Sequence, residues 1–227
     1  MGRLFLTFIT SIFLIGQNYN VNVYGISVAN ANLVMDSATV QLNYKTEGIA
    51  NVIWPAKNAY STWFDTTHFA FNKFTKKIKQ GPLNQSITIK MEDGMLEYKK
   101  SSKKRAKSTH NLFSLMARLR SDSALDLDTK WLEFDHEGVL YNSRFLLAGQ
   151  DTLSLNGRQI PCNHFRMDIR RSSDESPFYD ETDRLMRYAV NENTVRQIWV
   201  EQNGIRRIIQ ANIIANGFPF EIVIQND

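Results

Sequence analysis

Apolar and polar side chains alternate with a period of two along most of the chain after Gln17, and this pattern predicts strands, because successive side chains of a strand point to opposite faces. Leu83, Gln85, Ile87, Ile89 and Met91 alternate with Asn84, Ser86, Thr88, Lys90 and Glu92. Asp93-Gly94 then supplies the positive φ of a tight turn and Met95 to Lys99 runs back, so this unit is a hairpin. Asn156-Gly157 separates Thr152–Leu155 from a strand around Phe165, Met167 and Ile169, and Asn203-Gly204 separates Val195–Gln202 from Ile205–Ile214. A further turn at Asn216-Gly217 leads into alternating Phe218, Phe220, Ile222 and Ile224. Tyr19, Val21 and Val23, and Ala38, Val40, Leu42 and Tyr44, mark two earlier strands. The stretch Lys73 to Lys79 also suits a helical face through Phe71, Phe74 and Ile78, and is assigned as strand.

One amphipathic helix stands out at His110 to Arg120, with Leu112, Leu115, Met116 and Leu119 on one face and Ser108 or Thr109 as N-cap. A shorter helix is predicted over Glu181 to Tyr188. The basic run Lys99 to Lys107 and the acidic-polar stretch Ser172 to Asp183 break the alternation and read as exposed loops. No fixed-period repeat and no Pro- or Gly-rich linker divides the chain. The predicted fold is therefore mainly β: about ten strands in a curved antiparallel sheet or half-open β-barrel, with the helix at 110–120 packed against its apolar side.

The first residues, MGRLFLTFITSIFLIG, carry one cation at Arg3 and an apolar run from Leu4 to Ile15, and polar Gln17-Asn18 follows at once. The run is shorter than the roughly 20 residues of a membrane-spanning helix, so it reads as an export signal cleaved near Gly16. Residues 1–16 are then a signal peptide and 17–227 a single β-rich domain. The residues before Gln17 depart from the usual A-x-A pattern, which leaves an uncleaved anchor as the alternative. Cys162 is the only cysteine, so no intramolecular disulfide forms, and none ends the apolar run to accept a lipid. A net charge of +4 permits attraction to anionic surfaces without requiring it, and export argues against a nucleic-acid partner.

Several stretches, in order, resemble exported bacterial proteins grouped as domain of unknown function 3108. They are Tyr19-x-Val21-x-Val23 with Gly25-Ile26-x-Val28-Ala29-x-Ala31, then DTTHFAFNKFTKKIKQG (Asp65–Gly81), HNLFSLMARLR (His110–Arg120), Ile160-Pro161-Cys162 after Gly157, and Ile198-Trp199 before Asn203-Gly204. Ala29 stands where glycine is expected, a proline is missing over Arg206–Ile209, and Ser172–Asp183 reads as an insertion. The resemblance implies a periplasmic or extracellular, mainly antiparallel β protein of a bacterium, with no assigned activity.

Catalytic chemistry has little support in the residues. Cys162-x-His164 places a thiol and an imidazole on one strand face, yet positions two apart are ~7 Å apart, beyond contact without a bulge. His136 with Asp135 and Glu137, or His164 with Asp168, lacks metal-ligand spacing. No catalytic residue, metal or cofactor is therefore assigned. The aromatic residues are more informative, since Trp54, Tyr60, Trp63, Phe64, Phe69, Phe71 and Phe74 crowd one stretch and Trp131, Phe134, Tyr141, Phe145 and Trp199 follow. Such side chains either fill a core or line an apolar pocket, and the sequence does not separate the two.

Two non-enzymatic functions follow. In the first, the concavity of the sheet binds or carries a lipid, an acyl chain or another apolar small molecule, with Trp54, Trp63, Phe64, Phe71, Leu115, Trp131 and Trp199 lining a closed cavity of roughly several hundred Å³. In the alternative, the core is filled and the two loops recognise an envelope protein. In either case Lys103, Lys104, Arg105 and Lys107 are candidates for peripheral contact with an anionic membrane surface.

Overall fold

The computed structural model describes residues 15–179 and 183–225. Fourteen strands form one sheet: β1 (Ile15–Val23), β2 (Ile26–Met35), β3 (Thr39–Thr46), β4 (Ala56–Phe64), β5 (Phe71–Gln80), β6 (Leu83–Glu92), β7 (Met95–Tyr98), β8 (Ser101–Lys104), β9 (Trp131–His136), β10 (Val139–Leu155), β11 (Arg158–Arg171), β12 (Val195–Glu201), β13 (Ile208–Ala215) and β14 (Phe218–Ile224). Helix α1 (Gly48–Ile53) joins β3 to β4, α2 (Leu112–Ser121) and α3 (Ala124–Leu127) lie between β8 and β9, and α4 (Arg184–Val190) precedes β12. Every neighbouring strand pair is antiparallel, and the order β8-β7-β6-β5-β4-β3-β2-β1-β14-β13-β12-β11-β10-β9 is two meanders joined where β1 meets β14. The ends of the described chain thus meet in the middle of the sheet, where Tyr19 pairs with Ile224.

The two outer strands, β8 and β9, are not paired with each other, so the sheet is curled but not closed. The chain between them bridges the gap. Phe71 N donates to Thr109 O at 3.1 Å, while His110 N donates to Glu133 O at 3.1 Å and Asp135 N donates to His110 O at 2.9 Å. Curling is the expected response of a long twisted sheet that must bury one apolar face. That face carries Tyr19, Leu33, Val40, Tyr60, Phe71, Phe74, Ile78, Phe134, Phe145 and Phe165, all buried, and α2 lies against it with Leu112, Phe113, Leu115 and Leu119. Burying each such side chain contributes about 1.5–3 kcal/mol. The rings of Tyr60 and Phe74 stack on Phe113 at 5.4 and 5.7 Å, which fixes the helix to the first meander.

Several expectations are corrected. The basic run is not a loop throughout, because Ser101–Lys104 forms β8 against β7, and short cationic strands are a recognised way to blunt a sheet edge. The helix begins at Leu112, and its cap is Asn111 rather than Ser108 or Thr109: Ser114 N donates to Asn111 Oδ1 at 2.9 Å and Asn111 N to Ser114 Oγ at 3.0 Å. His110, placed in the helix by its periodicity, instead pairs with Phe134 as an isolated bridge. The later helix starts at Arg184, and the Glu181 start expected from the sequence lies outside the described residues, as does the leader up to residue 14. Ile15 and Gly16, counted with the leader, already pair with Met35 and Val34 in β1.

Candidate functional site

The concave side of the sheet is filled. Between α2 and the strands, Phe71, Phe74, Ile89, Phe113 and Met186 enclose a void of only about 10 Å³. This is about one water molecule's worth, far from the several hundred Å³ that an acyl chain requires. Among the seven residues expected to line a cavity, Phe64, Phe71, Leu115 and Trp199 are packed into the core. The four tryptophans do not converge on a pocket. Arg184 lies 3.5 Å from the ring centre of Trp54, Lys73 4.7 Å from that of Trp63, and Arg144 and Arg170 4.6 and 4.0 Å from that of Trp131. Trp199 stacks on His164 at 4.2 Å and donates Nε1–H to Asp151 at 2.7 Å. Cations and imidazole therefore cover the indole faces that a ligand would have used.

Polar groups complete the filling. On β5, Lys76 takes the inward register of Phe74 and Ile78; its fully buried ammonium pairs with Glu137 and lies 3.4 Å from Asp183. Asp183 also accepts from the Tyr60 hydroxyl at 2.8 Å and from Met186 N at 2.9 Å, which caps α4. Burial together with the Asp183 charge raises the Tyr60 hydroxyl well above its ordinary pKa, so it remains a donor. A second buried cation, Arg105, donates to Asp135 at 2.8 Å, Gly138 O at 2.9 Å and Glu175 at 2.6 Å. Burial pushes the Asp135 carboxyl up to about 6, against the opposing pull of Arg105 and of the Gly138 N–H. These two clusters tie Glu175 and Asp183 to the sheet. Lys103 joins them by donating to Gly138 O and Ser176 O. Arg105 and Lys103 are thus structural ties rather than surface contacts, while Lys104 and Lys107 stay exposed and Lys107 pairs with Asp93 at 3.3 Å.

The Cys162 thiol is buried, donates to Ile160 O at 3.4 Å, and has its pKa pushed up to about 11 by burial and by the nearby Glu201 and Asp151 charges. His164 instead faces Asp151, with Nδ1 3.3 Å from Oδ2. Among the described residues no three His, Cys, Asp or Glu side chains converge as metal ligands.

Open space lies on the other face of the sheet. A groove of about 390 Å³ is lined by Asn18, Asn30, Asn32, Asn43, Lys45, Lys57, Lys77 and Gln225. Alternation puts these side chains opposite the buried Tyr19, Ala29, Leu33 and Ile78. Register brings them together: Asn18 lies opposite Asn32, Asn32 opposite Asn43, Asn43 opposite Ala59, and Ala59 opposite Lys77. The small Ala59 leaves room in the middle of that row. Asn32 Nδ2 donates to Asn18 Oδ1 at 2.8 Å, and Gln225 Nε2 to Asn30 Oδ1 at 3.0 Å, so the amides are pre-ordered. Four asparagines on three adjacent strands, Asn18, Asn30, Asn32 and Asn43, are the signal the sequence carries for this groove.

No family model and no curated protein sequence matches the chain. Among solved structures, it is similar to a β-barrel-like protein of domain of unknown function DUF1849 from Brucella abortus, at TM-score 0.58 and 12% identity, over 95% of this chain and 98% of that one. The hypothetical lipoprotein YmcC from Escherichia coli aligns at TM-score 0.41 and 11% identity, over 95% and 89% of the two chains. The lipoprotein LppX from Mycobacterium tuberculosis aligns at 0.30 and 12%, over 93% and 85%. The first likeness is one of fold, and it agrees with the unclosed, mainly β architecture.

Proposed function

We propose that this protein is a non-enzymatic binding protein of the bacterial envelope, in which the concave side of the sheet is a structural core and the outer face carries recognition. The observation that supports this is the contrast between an interior void of about 10 Å³ and an outer groove of about 390 Å³. The groove lies within the roughly 300–1,000 Å³ range of small-ligand sites. Its amides offer paired donors and acceptors for hydroxyl groups, and its three ammonium groups favour a negative ligand. A carboxylate-bearing polysaccharide has both features. The apolar run Leu4–Ile15 and the resemblance to domain of unknown function 3108 support the envelope setting.

Retention on immobilised alginate tests the proposal. Wild-type protein is expected to bind and to elute with salt, and Ala59→Trp, which fills the middle of the groove from the outer face, is expected to elute early. Equal elution of the two proteins overturns it. A second reading, carriage of an apolar molecule, is favoured by one observation: the surface beneath α2 is made of large apolar side chains, Phe71, Phe74, Phe134, Phe145 and Phe165. That reading requires a bound lipid in the purified protein.

A further inference from the structure

Five large apolar side chains that remain exposed gather at one rim of the sheet. Tyr24 at the β1–β2 turn is 69% exposed, Phe218 at the β13–β14 turn 54%, and Ile49, Val52 and Ile53 of α1 67%, 81% and 73%. Strand register places all of them at the same end: Val23 pairs with Ile26 and with Phe220, Ala215 with Phe218, and Ala29 with Thr46 just before α1. They are neighbours rather than scattered residues. The Tyr24 and Phe218 rings meet edge to face at 6.5 Å, the Tyr24 hydroxyl donates to Gly217 O at 3.2 Å, and α1 is tied to β2 by Glu47 N donating to Val28 O at 2.9 Å. No residue of α1 is buried, so its apolar side chains contribute nothing to the core. Exposed apolar groups gathered in this way mark an interaction surface.

Directly behind these tips stand cations. Lys45 lies opposite Lys57, and Lys57 opposite Lys79, across β3, β4 and β5, all three exposed. Neighbouring strands are ~4.8 Å apart, so three like charges share about 10 Å of surface, an arrangement that repels itself unless an anion is present. Arg184 and Arg187 of α4 add two exposed cations near the same end, Arg184 over Trp54 and with its N–H donating to Gln80 at the end of β5 at 3.1 Å. The Glu47 carboxylate, which precedes α1, is already held by Ser27 and Asn30.

We infer that this rim is a peripheral membrane-docking surface: Tyr24, Phe218, Ile49, Val52 and Ile53 enter the headgroup region of a bilayer, and the lysine row contacts its anionic lipids. Protruding apolar tips with cations one layer behind match the two zones of a lipid surface, apolar below and negative above. No helix among the described residues is long and apolar enough to cross a membrane. Lys45 and Lys57 belong to both the groove and this rim, but Tyr24, Phe218 and the α1 side chains lie outside the groove, so removing the apolar tips tests the rim while leaving the groove lining intact.

Vesicle flotation tests it, using the exported chain with its N-terminus mapped by mass spectrometry and kept the same in every variant. The probes are phosphatidylcholine vesicles with and without phosphatidylglycerol. Wild-type protein and Ala59→Trp should float with phosphatidylglycerol vesicles and lose binding as salt rises. The triple variant Ile49→Ser, Val52→Ser, Ile53→Ser should bind about tenfold or more weakly, and because these side chains touch no core its unfolding midpoint should be unchanged. Lys79→Gln should lower partitioning about fivefold on phosphatidylglycerol vesicles only. Flotation of the triple variant equal to wild type overturns the inference. So does a wild-type protein that ignores vesicles but forms a dimer that the triple variant abolishes, since a second copy then covers the rim.

Discussion

Replacing Lys76 with Met removes a buried charge while keeping the length and most of the volume of the side chain. The Lys76 side chain is 0% exposed, and its two partners Glu137 and Asp183 are 3% and 0% exposed. In the variant Asp183 keeps the Tyr60 hydroxyl at 2.8 Å and Met186 N at 2.9 Å, and Glu137 keeps His136 Nε2 at 3.6 Å, but both carboxylates lose their shared cation. Removing one member of a buried ion pair costs about 3–5 kcal/mol, because the remaining charge is desolvated without compensation. For a chain of this size that corresponds to a fall in melting temperature of about 6–20 °C. Urea unfolding should show a lower midpoint with an unchanged slope. The double variant Lys76→Met, Glu137→Leu should recover more than half of the loss, since an apolar pair can replace a buried ionic one. A single variant within about 1 kcal/mol of wild type, or a double variant less stable than the single, would refute the reasoning.

Three further outcomes are expected. Gly138 has φ +85°, and a Cβ there would lie 2.7 Å from the Phe178 ring, so Gly138→Ala should cost about 1–3 kcal/mol and loosen Phe178 from Tyr98; near-ultraviolet circular dichroism reads both, and an unchanged spectrum and stability would count against it. Donation from Arg105 holds the Glu175 carboxyl below its ordinary value of 4.5. A depressed carboxyl contributes stability above the unfolded pKa and loses it as pH falls through the lower folded value, so the amide protection factors of Ser172–Phe178, taken relative to the intrinsic exchange rate at each pH, should fall below about pH 4.5. Glu175→Gln should flatten that dependence, and an equally steep profile in the variant would assign it elsewhere. The Cys162 thiol, pushed up to about 11 by burial, should react with iodoacetamide at pH 8 only after unfolding; rapid alkylation of the native protein would show it accessible.

The strands were legible in the sequence because half-buried antiparallel strands repeat every two residues, and the Asn-Gly and Asp-Gly turns mark where they reverse. Strand β8 was not, since Ser101–Lys104 carries no apolar alternation and its pairing is set by β7 beside it. Cap choice at α2 failed for a similar reason: Ser108, Thr109 and Asn111 are all good caps, and the pairing of His110 with β9 decides among them. The filled concavity was the harder matter. Trp54, Trp63 and Trp131, read as pocket lining, proved to be covered by cations, such as Arg170 over Trp131, while Trp199 is buried against His164. Lys76 did leave a trace, a lysine in register with Phe74 and Ile78, but its meaning depends on Glu137 and Asp183, 61 and 107 positions away. The rim escaped notice because Tyr24, Ile49 and Phe218 are apolar residues far apart in sequence, and only strand order makes them neighbours.

The central claim is that the concave side is a finished core and that binding happens on the outside. Mass spectrometry of organic extracts from the exported chain, purified without detergent and compared with a mock purification, tests this most directly. A folded protein that yields no stoichiometric apolar molecule is the predicted result; a lipid or acyl chain recovered at one per chain would contradict it.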